Sequence, residues 1–430
     1  MYRLHVFIGV FSIAILFSCS SKTWQWETLD TKNRPTARHE AGLIAYKDNL
    51  YLLGGRRINP TSVFNTKTNQ WKEKSRPPIE VHHFQPVVFN DVIYIIGALT
   101  GKCPNEKPLD KVLVYDTFEY KHSIPEHRRR GGSGVVVYND KIYLVGGIQN
   151  GHMNGFTNWL DEYNPKTGEW KVLEDAPFPR DHFQAVVSGD KLYAFAGRTT
   201  FKKSGQDMNL TLSHGNVFDF IKMQWDGPRE NLQIPTEREG NFVFEHNGKI
   251  IVGGGESIKQ IEAHKEVEAY DPMTNQWSSW PALNEGRHGT GFAVVDNYVY
   301  TASGCGNRGG EPELFTIERL NLNKTNTNQA EIIDVDTTKV YSQWHTLSLS
   351  FEGRQTSEND PNNPFLNSLL LVEFQNGEIK QTIRGFYAAD GNAGKTSADY
   401  GNVWKVRFTP DKIGKWTYKG TLFYGKDIAI

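Results

Sequence analysis

The chain has 430 residues, and its 48 Lys and Arg against 49 Asp and Glu leave a formal charge of −1. That balance excludes the basic face that nucleic-acid binding demands. Aromatics at 12%, 40 glycines and few stretches of helical periodicity point to an all-β protein: two domains, or one repeat array with a smaller unit attached.

In chain order, residues 1–18 read as a targeting segment. Arg3 and His5 precede an apolar stretch, Val6–Phe17, that is too short to span a bilayer and suits a signal peptide. It runs into Leu16-Phe17-Ser18-Cys19, which resembles a bacterial lipobox, with Phe17 a departure from the commonest pattern. The resemblance implies cleavage before Cys19, lipidation of Cys19, and an exported protein held at a membrane, periplasmic or on the cell surface. The other thiols, Cys103 and Cys305, make no CxxC or zinc spacing and fall in non-adjacent repeats. No disulfide, metal or cofactor is expected.

Residues 38–55, RHEAGLIAYKDNLYLLGG, read as a hairpin followed by a glycine doublet, and the pattern occurs six times in all. The doublet positions are Gly54-Gly55, Gly97-Ala98, Gly146-Gly147, Ala196-Gly197, Gly254-Gly255 and Ser303-Gly304. Sixteen residues before the first member of each stand Arg38, Val81, Arg130, Arg180, Arg238 and Arg287. Downstream comes an aromatic and then Trp: Phe64/Trp71, Tyr163/Trp170, Phe218/Trp225 and Tyr270/Trp277. The second repeat has Tyr115 followed by His122, and nothing follows the sixth. The segment TWQWETLD at 23–30 supplies the missing piece, with Trp26 in the Trp position. A terminal sheet of three strands would expose an edge, and a strand from the opposite terminus closes it. The period suits four-stranded propeller blades.

Over residues 23–322 the chain resembles the kelch β-propeller family, on the doublets, the aromatic–Trp spacing and the strand-initial Arg. The resemblance implies a six-bladed propeller over 19–322. One face should carry only short turns such as KDN and NPKTGE. On the other, the doublet-to-aromatic spacing runs 9, 17, 16, 21, 15 and 11 residues. Insertions concentrated on one face mark a binding face. The residues opening each innermost strand line its rim, so the candidate ligand set is Arg38, His39, His82, His83, Arg130, Arg180, Asp181, His182, Arg238, Glu239, Arg287 and His288, with Trp159 from the loop 147–163. Guanidinium and imidazole groups beside an aromatic suit a carbohydrate or sugar acid. Each motif Arg has a second reading, as the cap of its own blade, and Trp159 one as packing against a neighbouring blade.

A polar linker, 323–334, leads to residues 335–430, where period-two alternation predicts a β-sandwich. Trp344, Phe351-Glu352-Gly353, Asn363-Pro364-Phe365, Gly385–Gly391, Trp404–Phe408 and Gly414-Lys415-Trp416 resemble the immunoglobulin-like domain of unknown function that precedes catalytic barrels in bacterial glycoside hydrolases. About five strands are legible where a sandwich wants about seven, and no barrel follows them here. The reading is therefore a non-catalytic, lipid-anchored carbohydrate-binding protein working beside glycoside hydrolases. The alternatives are a protein-binding propeller and a mutarotase-like enzyme, with Glu239 as acid/base and Arg238 and Arg287 holding a carboxylate.

Overall fold

The computed structural model describes residues 24–115, 118–202, 209–227, 232–323, 342–360, 363–424 and 428–429. The predicted signal peptide, Cys19 and all but the first residue of the predicted linker lie outside the described residues. Among the described residues, no helix is long and apolar enough to cross a membrane.

Six four-stranded antiparallel sheets follow one another along the chain. The first is built from Ala41–Tyr46, Asn49–Gly54, Ser62–Asn65 and Gln70–Glu73, paired in that order. Its opening turn is dictated locally. Lys47 and Asp48 both have positive φ, 46° and 50°, and Tyr46 pairs directly with Asn49. This two-residue geometry matches the right-handed twist of the flanking strands, and after glycine Asn and Asp tolerate it best. Asn90-Asp91 and Asn139-Asp140 repeat it in the second and third blades.

The ring closes as the repeat count requires. Glu27–Thr28 pairs antiparallel with Ile317–Asn321, Glu27 opposite Arg319 and Thr28 opposite Glu318, completing the sheet of Phe292–Val295 and Tyr298–Ala302. Extending that register sets Trp26 opposite Leu320, as Trp71 stands opposite Phe64. Trp26 is 2% exposed, stacks on Phe292 at 5.6 Å and donates its indole N–H to the Pro281 carbonyl at 2.8 Å. One expectation shifts: the aromatic counted after the last doublet, Phe315, is exposed before its strand begins, and Leu320 fills the inter-blade wedge instead. In the second blade His122 replaces Trp and bonds through Nδ1 to the Tyr163 hydroxyl at 2.7 Å.

The C-terminal unit is two three-stranded sheets. One orders Leu347–Ser357, Tyr400–Phe408 and Phe386–Tyr387; the other orders Ile379–Arg384, Ser368–Asn376 and Thr417–Tyr424. Phe351, Leu370, Phe374, Trp404 and Phe408 fill the space between them. The sandwich thus has six described strands, one more than the sequence makes legible.

Candidate functional site

The five motif arginines turn into their own blades. Arg38 donates to the Gly54 carbonyl at 3.2 Å, Arg180 to Ala196 at 2.7 Å and Arg287 to Ser303 at 2.9 Å, each sixteen residues on. A second partner waits on the third strand, two residues before the aromatic position. Arg130 pairs with Asp161 at 2.7 Å, Arg238 with Glu268 at 2.7 Å and Arg287 with Glu318 at 2.6 Å, while Arg38 donates to Ser62 at 2.9 Å. All five arginines are 0–1% exposed. In the second blade the Arg is Val81 and its partner position Leu113, both buried in one apolar cluster. Charge and counter-charge disappear together, as expected where a buried ion pair left half-complete would be costly. This corrects the ligand set: Arg38, Arg130, Arg180, Arg238 and Arg287 hold blades together, and Arg238 and Arg287 are not free to clamp a carboxylate. Trp159 is half-buried under Arg128, whose guanidinium lies 4.1 Å from its ring centre. It packs on Arg128 and Arg130 at the start of its own blade, where the sequence reading set it against a neighbouring one.

Two residues after each of these positions the chain turns left-handed. Glu40, His83, Gly132, His182, Gly240 and Gly289 have φ between 54° and 63°. Their backbones form a closed circuit around the axis. His83 N–H donates to Glu40 O, Gly132 to His83, His182 to Gly132, Gly240 to His182, Gly289 to Gly240, and Ala41 returns to Gly289, all at 2.7–3.0 Å. Below it, Gln85 accepts from Val135 and Ala185 N–H, and Gln184 donates to the Thr290 carbonyl. What remains of the channel is a cavity of ≈ 30 Å³, room for about one water. The site is therefore not a tunnel. It is whatever stands above this floor, on the long-loop face.

Two groups of side chains stand there. On one side are imidazoles. His83, His152 and His182 are 5–8% exposed, and their nearest ring nitrogens all lie within 4.8 Å of one another. His182 Nδ1 bonds Asp181, which also accepts from Thr200 N–H at 2.9 Å. His152 Nδ1 lies 2.9 Å from Glu106 Oε1, and the same oxygen accepts from Arg56 at 2.9 Å. His82 donates Nε2–H to the Gly101 carbonyl at 3.0 Å, and its Nδ1 is 2.6 Å from Nδ1 of His83. Burial, reinforced by His182, His82, Arg56 and His152, pushes the His83 imidazole well below its usual pKa. Burial would raise the Glu40 carboxyl, but His288, His39, His182 and Arg56 outweigh it and hold it at about 2.

On the other side are carboxyls. Glu239 and Glu256 exchange backbone hydrogen bonds at 3.0 and 2.8 Å, which sets their side chains together. Arg198 donates to Glu239, and the Gly309 N–H to Glu256. Burial pushes Glu239 well above the usual carboxyl range against the pull of Arg198, and Glu256 adds to the rise. Burial likewise raises Glu256 to about 7, although hydrogen bonding from Glu239 and the charge of Arg198 oppose it. Both carboxyls are thus biased toward the protonated form. His288 Nδ1 faces Glu256 at 3.6 Å and Glu40 at 3.7 Å, and His39 bonds Glu313 at 2.8 Å.

Of the predicted set, His39, His82, His83, Asp181, His182, Glu239 and His288 do converge above the floor. They form a buried network rather than an open rim, so Asp181 and Glu239 also carry structure. The sequence reading passed over Glu40, Glu106, His152, Arg198 and Glu256. A signal existed for some of them: the residue after each doublet is Arg56, Leu99, Ile148, Arg198, Glu256 or Cys305, and it pairs beside the second rim residue. Cys305 belongs to this inner ring and is buried, whereas Cys103 is exposed; both are free.

Six four-stranded blades sealed by an N-terminal strand define a six-bladed β-propeller. The chain belongs to the kelch-repeat family: the KLHDC2/KLHL20/DRC7 Kelch-repeats domain matches residues 132–354, and the attractin/LZTR1 β-propeller matches residues 10–215. Residues 340–422 match a domain of unknown function, DUF5060. Kelch-like protein terF of Aspergillus terreus is 27% identical over 302 residues, 64% of this chain and 62% of its own length. Kelch-like protein 40 of Xenopus tropicalis is 27% identical over 203 residues, 45% of this chain and 32% of its own. The chain thus spans less than two thirds of these curated relatives. The solved structure of YjhT shares the fold, with a TM-score of 0.56 at 16% identity over 66% of this chain and 95% of that one.

Proposed function

We propose that this kelch propeller binds a carbohydrate on its long-loop face, as an exported lipoprotein working beside polysaccharide-degrading enzymes. The observation that carries the reading is that buried carboxyl and imidazole side chains the blade motif does not need are gathered above the axial floor on the long-loop face. With the motif arginines occupied, recognition falls to carboxyl and imidazole groups, which suit hydroxyls better than a guanidinium clamp on a carboxylate would. Neutral sugars are therefore favoured over sugar acids. Anchoring rests on Leu16–Cys19, and the link to glycoside hydrolases on the C-terminal domain. A glycan array of neutral and acidic sugars on the purified chain tests the site. Loss of a neutral-sugar signal in Glu239→Gln with retention in Lys166→Ala supports it; an unchanged Glu239→Gln overturns it. Membrane partitioning that survives Cys19→Ala would overturn the anchor.

A specific observation favours a second, enzymatic reading. Burial raises both Glu239 and Glu256, Glu256 to about 7, a range in which a carboxyl can donate or accept a proton near neutrality. Faster exchange between sugar anomers, followed by proton NMR and abolished in Glu256→Gln, would establish it.

A further inference from the structure

We infer that His83, His152 and His182 form a binding site for a divalent transition-metal ion, of the kind imidazole nitrogen favours, with Zn²⁺ the natural probe. The inference goes beyond the carbohydrate reading and stands independently of it.

The argument is one of proton placement. A carbonyl only accepts, so His82 must carry its proton on Nε2 to bond Gly101. In neutral His82 the other nitrogen is then a lone pair, and His83 Nδ1, at 2.6 Å, must be the donor to it. That leaves a lone pair on His83 Nε2, which faces not a donor but Glu40 Oε2 at 3.3 Å. His182 gives its Nδ1 proton to Asp181, and His152 Nδ1 faces Glu106 at 2.9 Å. Their Nε2 lone pairs therefore point at each other across 3.2 Å. On that placement the two facing nitrogens have no hydrogen between them, a ring nitrogen of His83 lies within 4.8 Å of one on each of the other rings, and the Glu40 carboxylate stands beside His83. A cation resolves this.

The spacing fits one. Two nitrogens each about 2.0–2.1 Å from a tetrahedral ion lie roughly 3.3 Å apart, against 3.2 Å between Nε2 of His152 and His182. Carboxylates on the far nitrogens of two of the three rings are the usual second layer of a histidine metal site, fixing tautomer and orientation. Glu40 offers an oxygen on the remaining side. The fold also tolerates strain here: His83 and His182 sit at φ of 54° and 55°, where Gly132, Gly240 and Gly289 occupy the equivalent places. An αL residue other than glycine costs about 1–2 kcal/mol. A purely structural floor would use glycine at all six positions.

That equivalence supplies the test. Titrating the full metal-stripped chain with Zn²⁺ by calorimetry should show one ion per chain and raise its melting temperature. His182→Gly, which restores the residue other blades use, should bind no Zn²⁺ and melt at the same temperature with Zn²⁺ as in EDTA. His152→Ala, on a loop above the floor, should behave likewise. Cys103→Ser should bind as the parent does. This last variant separates the site from a second grouping, Cys103, Glu106 and His152, that shares one ligand. No stoichiometric Zn²⁺ in the parent, retained affinity in both histidine variants, or loss in Cys103→Ser would overturn the assignment.

Discussion

The belt of motif arginines and the ring of residues beside the axis come from the same six short segments, one or two positions apart, and have opposite fates. The belt residues are uniform, face into their own blades and find carbonyls and carboxylates there. The ring residues vary from blade to blade, face the axis, and find one another. Position one of each segment serves the blade; positions two and three are free to differ because only the backbone circuit is required of them. Uniformity across blades therefore marks scaffold, and variation at a fixed position marks chemistry.

Removing the strand that completes the last blade should have the largest effect. Deleting residues 24–30 exposes the edge of Ile317–Asn321 and removes Trp26, whose loss alone is worth roughly 3–5 kcal/mol. The propeller transition in a calorimetric melt should fall steeply or vanish, while the sandwich transition stays. Next comes the belt. Arg238→Ala strands Glu268 in the interior and should cost about 3–5 kcal/mol in urea denaturation. Arg238→Val with Glu268→Leu, copying the second blade, should recover most of that loss; no recovery would break the view of the belt as scaffold.

The ring should reveal itself through pH. A carboxyl raised in the folded state favours folding while it holds its proton. The contribution of Glu256 is therefore full below its unfolded value of 4.5 and disappears as pH rises through about 7. Between those limits the parent should lose stability relative to Glu256→Gln by about 1.4 kcal/mol per pKa unit of the shift. A flat difference between the two urea-midpoint curves would remove the raised Glu256 carboxyl from the account. Smallest of all, Lys166→Ala on the short-turn face breaks only an exposed pair with Asp140. It should change stability by less than about 0.5 kcal/mol.

The propeller was legible because its signals are local and repeated. Doublets, aromatics and turn residues each report one blade, and Trp26 could be assigned from the gap it fills. The site was harder to read, because its partners meet through tertiary placement alone. His83 and His182 belong to different blades, and His152 reaches them from a loop whose sequence shows no ligand spacing. Glu106 and Glu256 each lie well away in sequence from the groups they touch. For the arginines the sequence offers two directions, toward the rim or into the blade, and does not decide between them. The offset from the doublet is visible in it; what the fold adds is that in four of the five the offset is bridged by a hydrogen bond to the doublet's own first carbonyl.

The circuit of peptide hydrogen bonds around the axis has a consequence for traffic. Six amides and two glutamines close the axis beneath the ring residues. A molecule reaching those residues from below would have to break the circuit, so the long-loop side is the approach that leaves it intact. Over that side the loops of the second and third blades meet where Glu106 accepts the His152 amide at 3.1 Å.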